Sequence, residues 1–310
     1  MSIIEKALNK AKDEGQKSKN STVFYSENGK NVDVKSNSLE NKTVVTANPT
    51  VSTKNEQPPV NPVIKEITDI DWVRLAELGF IAPGDSNTQA VEEYRNIKRP
   101  LVGNAFGKGS EGISRANLIL ITSSLPGEGK TFTAINLALS IANERDKQVL
   151  LIDADVARPS VSRVLGIKSS PGLIDYLDGD DISFSDISIT TSMPGLRIIP
   201  AGKLHKHSTE LLSSNKMAVL VNELSTRYRD RIVIFDSPPL LAATQGEILA
   251  KLAGQVVLVI EAEKTMQSVV MESVEKLASC DVVLALFNKT RRSMDGGYYG
   301  YGYGYGQYAH

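Results

Sequence analysis

One stretch constrains this chain more than any other: ILITSSLPGEGKTFTAINLALSIA, residues 119–142. An apolar run enters a glycine-containing loop and leaves it as a second apolar run at helical spacing, which predicts a buried strand, a tight turn and a helix. The loop nearly matches the phosphate-binding pattern G-x-x-x-x-G-K-[ST], with Ser124 in the first glycine position and Gly129, Lys130 and Thr131 as the matching core. Gly127 and Gly129 allow the backbone to curl so that successive N–H groups point at phosphate oxygens, assisted by the positive end of the following helix. Lys130 adds a cation near the β- and γ-phosphates, and the Thr131 hydroxyl can ligate Mg²⁺. Pro126, Gly127, Glu128, Gly129, Lys130, Thr131 and Phe132 are therefore the candidate nucleotide-binding residues. The competing reading is an ordinary glycine turn that happens to contain Lys-Thr.

Downstream, QVLLID, GLRIIPA, RIVIFD, QVVLVI and DVVLALFN are further short, continuous apolar runs, most of them separated by helical segments. Continuous rather than alternating apolarity means burial on both faces, and in βα order this indicates a parallel sheet between helices. The expected fold is α/β: a three-layer P-loop NTPase with a mostly parallel central sheet. Ligands of such sheets bind beyond the strands' carboxyl ends. Two carboxylate clusters fall at that edge. In VLLIDADVARPS, Asp153 and Asp155 emerge from a strand end on the same side, suited to holding Mg²⁺ and accepting a hydroxyl proton. The alternative for a strand-end aspartate is capping of the next helix. In RIVIFDSPPLL, Asp236 ends a buried strand and precedes a rigid Ser-Pro-Pro turn, the arrangement that supports Mg²⁺ opposite a phosphate loop. The three elements together point to ATP or GTP with Mg²⁺.

The rest of the chain divides by composition. Residues 1–14 read as a short amphipathic helix, which is either marginal alone or a docking element. Residues 15–62, rich in Asn, Ser, Thr, Lys and Glu, read as a disordered tether. A catalytic domain is expected over 63–292, opening with a helix capped by Thr68 that presents Trp72 and ends at Gly79. A second helix is expected over 86–98, stopped by Pro100. Residues 293–310 form a Tyr/Gly-rich tail containing Tyr298, Tyr299, Tyr301, Tyr303, Tyr305 and Tyr308. On composition alone that tail is a sticky aromatic tract. The 35 basic and 36 acidic side chains nearly cancel, so no overall field favours nucleic acid. The single cysteine, Cys280, lies beside an apolar run, where a buried thiol is expected, and it excludes a disulfide framework. No apolar stretch approaches the ~20 residues of a spanning helix, and there is no signal-peptide core, so a cytoplasmic location is expected.

The segments SSLPGEGKT, LLIDADVARP and IVIFDSPP together resemble the Walker A, A′ and B motifs of the bacterial tyrosine kinases, which regulate extracellular polysaccharide polymerisation and export. The resemblance covers residues 86–310. MSIIEKAL, EEYRNIKRPL and DADVARPS look most like the exosortase-associated tyrosine autokinase branch. The resemblance implies that Lys130 and Thr131 contact phosphates and Mg²⁺, that Asp153 and Asp236 organise the Mg²⁺ shell, and that Asp155 is the base toward a tyrosine hydroxyl. It implies that the tail tyrosines are phosphorylated in trans, each phosphate adding about −1.5 to −2 charges. Asn288 resembles an adenine-contacting asparagine.

An E-x-x-R-x-x-R helix supports ring assembly in this family; Glu92, Arg95 and Lys98 stand at those positions on one expected helix face, with lysine replacing the second, fork-shaped arginine, and an ordinary solvated salt-bridge ladder is the competing explanation. Ala157 stands where many members have arginine, with Arg158 beside it. Implied partners are a membrane chain-length-determinant (polysaccharide co-polymerase) activator, docked by the N-terminal helix or the Trp72 segment, a cognate tyrosine phosphatase, and further copies of the chain. The implied location is peripheral to the inner membrane through that activator. The rivals are a partition or division-site ATPase, whose signature lysine is replaced here by Leu125, and a nucleotide-dependent scaffold without phosphotransfer.

Overall fold

The computed structural model describes residues 67–85, 88–107, 112–227 and 230–290. The expected N-terminal helix, the tether and the tyrosine tail lie outside the described residues. The strands are β1 (Ile67–Thr68), β2 (Leu118–Ser123), β3 (Gln148–Asp153), β4 (Ile189–Thr191), β5 (Leu196–Ile199), β6 (Arg231–Asp236), β7 (Gln255–Glu261) and β8 (Val282–Asn288). The helices are α1 (Trp72–Glu77), α2 (Gln89–Phe106), α3 (Lys130–Ala142), α4 (Val161–Leu165), α5 (Leu173–Asp178), α6 (Phe184–Ile187), α7 (Ser208–Leu212), α8 (Asn215–Thr226), α9 (Thr244–Ala250) and α10 (Gln267–Lys276).

All eight strands join one sheet in the order β1-β4-β5-β3-β6-β2-β7-β8, parallel except where β4 meets β5. Because successive side chains of a strand face opposite ways, each continuous apolar run feeds two cores. Leu120, Leu150, Val233 and Leu258 face a layer that includes α5, α8, α9 and α10. Ile119, Leu151, Ile234 and Val257 face a layer built from α2 and α3. Cys280 is buried in the first of these cores and its thiol is pushed up to about 11 by burial, as an inert packing residue should be. The six apolar runs are strands as expected; β1 and β4 are additional, too short and threonine-rich to announce themselves.

The first helices depart from expectation. Asp71, not Thr68, caps α1, accepting the Arg74 N–H at 3.0 Å, because Thr68 is already paired in β1. Gly79, at φ +85°, follows the helix end as expected. The helix expected to stop before Pro100 instead runs through it to Phe106. Proline removes one helical N–H and crowds the preceding turn, but here tertiary anchors outweigh that cost. Leu101 is buried with its carbonyl accepting from Gln255 Nε2 at 3.0 Å, and the Lys98 amine reaches the Ser140 carbonyl at 2.7 Å. The proline itself is exposed, so its ring displaces no packing.

Candidate functional site

Sheet register brings the chemistry to one edge. Asp153 lies directly opposite Asp236, and Asp236 opposite Ile121, two residues before β2 ends and the phosphate loop begins. Gly127 and Gly129 both take left-handed backbone, φ +87° and +102°, and Gly129 is the residue immediately before α3. The left-handed φ of Gly129 strains any residue with a side chain, and a Cβ there would lie 2.0 Å from Asn288 Nδ2 and push that amide off the loop. Ser124 needs no such freedom. It is buried, with its hydroxyl accepting from Ser273 Oγ at 2.8 Å, which explains why serine replaces the first glycine of the pattern.

The loop is also braced from outside. Glu128 accepts the Leu125 N–H at 2.7 Å and the Thr265 hydroxyl, so its side chain shapes the loop. Asn288 Nδ2 donates to the Glu128 carbonyl at 2.9 Å, and Lys289 Nζ donates to the Gly127 carbonyl at 2.7 Å while pairing with Glu261 at 3.2 Å. Asn288 is thereby held against the phosphate loop. Sequence alone does not single out Lys289, Thr265 or Ser160. Their roles depend on contacts across more than a hundred residues for the first two, although adjacency to Asn288 marks Lys289 in retrospect.

Inside the site, Lys130 Nζ pairs with Asp155 Oδ2 at 2.7 Å, with both side chains largely buried. Burial works against the Lys130 ammonium, but the charges of Asp236 and Asp155, with Asp153, outweigh it and hold the lysine above its ordinary value. Asp155 also accepts the Arg158 N–H at 3.1 Å. Asp153 caps the next helix with one oxygen and leaves the other uncommitted. Its Oδ2 accepts the Ser160 and Val161 N–H groups at 3.0 Å each, capping α4, while Oδ1 is buried without a hydrogen-bond partner among the described residues. Neither oxygen of Asp236 has a partner at hydrogen-bond geometry among the described residues, although the Thr131 hydroxyl is near enough to favour the charged carboxylate. Thr131 Oγ1 meets Ser160 Oγ at 3.0 Å. Burial pushes Asp153 up to about 7, reinforced by the charge of Asp236, and pushes Asp236 up to about 6, opposed by Lys130.

Buried carboxylate oxygens without donors are costly unless a cation or proton satisfies them, so the donor set fits Mg²⁺ with Thr131, Asp153 and Asp236 around it. Among the described residues no three acidic or histidine side chains converge tightly enough to hold a metal alone. Mg²⁺ ordinarily keeps waters and phosphate oxygens in its shell beside one or two carboxylates. The site opens into a cavity of about 680 Å³ lined by the loop, Ala157, Arg158, Arg163, Pro238 and the Phe80–Phe132 pair, whose ring centroids are 4.8 Å apart.

The raised pKa values set a pH dependence. Without metal, Asp153 and Asp236 hold protons more tightly folded than unfolded, so their contribution to stability is full near pH 4 and is lost as pH rises through about 6 to 7. The metal-free protein is expected to melt at progressively lower temperature from about pH 5 to 7, and Mg-ADP to raise the melting temperature more at the higher pH. A Mg-ADP effect that is equal at both ends of the range would contradict this.

The helix at positions 92, 95 and 98 is only partly displayed. Arg95 pairs with Glu92 on the surface, but the Lys98 amine turns inward to the Ser140 carbonyl and to Glu144 at 2.8 Å. The three groups therefore do not form one outward row.

A family model described as an AAA domain matches residues 116–285. The chain is 37% identical over 213 residues to a Bacillus subtilis protein named tyrosine-protein kinase YwqD, covering 67% of this chain and 86% of that one. It is 34% identical over 186 residues to tyrosine-protein kinase ptk of Acinetobacter johnsonii, covering 60% of this chain but only 24% of that much longer protein. Among solved structures, the kinase domain of Escherichia coli tyrosine kinase ETK superposes with a TM-score of 0.62 at 27% identity, covering 72% of this chain and 85% of that one.

Proposed function

This chain belongs to the bacterial protein-tyrosine kinases, and from that premise we propose that it transfers the γ-phosphoryl group of ATP to the tyrosines of its own C-terminal segment, one copy acting on another. The observation that carries the reading is the convergence of Asp153, Asp155 and Asp236 on Lys130 at the mouth of the phosphate loop, with three buried carboxylate oxygens lacking donors. Loop N–H groups and the Lys130 ammonium would hold the β- and γ-phosphates, and Thr131, Asp153 and Asp236 would hold Mg²⁺. Mg²⁺, when bound, supplies charge neutralisation on the transferred group. Asp155, released from Lys130 when the lysine turns to phosphate, would accept the tyrosine hydroxyl proton. Tyr298, Tyr299, Tyr301, Tyr303, Tyr305 and Tyr308 are the proposed acceptors, since glycine between them lets a bare strand of backbone enter a neighbour's cavity.

The tail argues for a kinase over a partition-type ATPase, as does Leu125, where that group has lysine. The biological setting proposed is control of exopolysaccharide polymerisation and export. It would involve a membrane co-polymerase as activator, a tyrosine phosphatase as antagonist, and reversible ring assembly that phosphate repulsion would loosen. No helix among the described residues is long and apolar enough to cross a membrane. Membrane contact would then come through the activator, leaving this chain on the cytoplasmic side. Placement in the exosortase-associated branch rests only on MSIIEKAL, EEYRNIKRPL and DADVARPS.

Action in trans is tested by mixing two variants with Mg-ATP: a chain ended after Thr290, with an intact site, and a full-length Lys130→Met chain. Phosphotyrosine on the second chain, at a rate that rises with the first chain's concentration, is the expected result. An unmodified tail in the mixture, while full-length wild type labels itself, would mean that transfer is intramolecular.

A further inference from the structure

Among the described residues, the last strand is an open edge of the sheet. β8 is the outermost strand of the described sheet on the side next to β7, and its sequence, VVLALFN, contains no lysine, proline or charge. Ala285 and Phe287, alternate residues on one face, are exposed, Phe287 by 56%. An edge of this kind offers a full row of backbone donors and acceptors, and proteins ordinarily cover or charge it. The chain itself supplies a segment of matching sequence soon after β8. Past Lys289, which already has left-handed backbone at φ +58°, the sequence runs through Gly296 and Gly297 into YGYGYGY, residues 299–305. Tyrosine and glycine alternate through that tract, so in an extended conformation Tyr299, Tyr301, Tyr303 and Tyr305 would share one face, and its length equals the seven residues of β8.

We propose that the unphosphorylated tail parks on this edge, residues 299–305 adding to β8 as an antiparallel strand with the tyrosine rings laid over Ala285 and Phe287. Main-chain bonds to the edge would give affinity, and aromatic pairing would choose the face. Direction decides the consequence. β8 ends at the phosphate loop, where Asn288 touches Glu128, so a returning antiparallel strand carries the tyrosines away from the chain's own nucleotide edge. Parking therefore withholds the tail from its own site, and a neighbour takes it only once the strand lifts off the edge. Resting on the kinase reading in this one respect, phosphate on successive same-face tyrosines would set like charges side by side and release the strand.

Hydrogen exchange of the β8 amides, measured without nucleotide, tests the parking independently of any kinase activity. Compared with a chain ended after Thr290, the full-length protein is expected to exchange β8 about tenfold more slowly, at a rate independent of protein concentration. Replacing Tyr299, Tyr301, Tyr303 and Tyr305 by Phe should keep the protection, and replacing them by Ser should remove most of it. Equal exchange in full-length and truncated chains overturns the proposal. So does protection that survives truncation and grows with concentration, which would place a second copy's β8 on the edge instead.

Discussion

Lys130→Met is expected to lower tyrosine phosphorylation about 10²–10³-fold, the scale of removing one donor aimed at developing charge, and to destabilise the ligand-free protein as well. The second effect follows from what the lysine touches. Asp155 is 2.7 Å away, and Asp153 and Asp236 also lie within its field, so methionine leaves three buried carboxyls without their countercharge. Breaking a buried pair from one side costs roughly 3–5 kcal/mol. The lower end applies here, because Asp153 and Asp236 are already poised near 7 and 6 and can accept protons in place of the cation. A loss of about 3 kcal/mol is a large share of a typical stability of 5–15 kcal/mol. The double variant Lys130→Met with Asp155→Asn removes one of the orphaned charges, and should regain much of that stability while recovering no activity. Denaturant melts of the two variants separate these effects. If the double variant were less stable than Lys130→Met, the ion pair would not be the lysine's structural role.

Asp155→Asn should separate binding from chemistry. In the ligand-free protein the carboxylate holds the lysine amine that nucleotide phosphates need, so ATP must displace it. Asparagine keeps the bond to the Arg158 N–H but releases the lysine. Affinity for a non-hydrolysable ATP analogue is then expected to rise by roughly tenfold or less, as a competing state is lost. Phosphotransfer to tyrosine is expected to fall about 10²–10⁴-fold with removal of the proton acceptor. Calorimetric titration and tail phosphorylation, measured on the same preparation, give both numbers. Unchanged phosphorylation would remove Asp155 as the base, and weaker binding would show that it shapes the site rather than competing for Lys130.

Much of the architecture is legible in the chain because a strand buried on both faces must be apolar throughout, and six such runs can be read directly. The strand-loop-helix context of Lys130 and the strand-end positions of Asp153 and Asp236 are legible for the same reason, since ligands gather where parallel strands end. What escapes is what depends on partners distant in sequence. Pro100 marks a helix stop by local rules, and only the Gln255–Leu101 and Lys98–Ser140 contacts carry α2 past it. Thr68 is a good cap in isolation, but pairing with β4 takes it into a strand and passes the role to Asp71. The inward turn of Lys98 and the grip of Lys289 on Gly127 come from the tertiary fold alone.

The most direct measurement is mass spectrometry of residues 291–310 after incubating purified full-length protein with Mg-ATP, alone and with the membrane activator, beside Asp155→Asn and Lys130→Met. Phosphate on the tyrosines from 298 to 308 in wild type, sharply reduced in both variants, is the result expected of an autokinase built on this site. ATP hydrolysis with a wholly unmodified tail, persisting when the activator is present, would contradict it and leave a nucleotide-driven switch in its place.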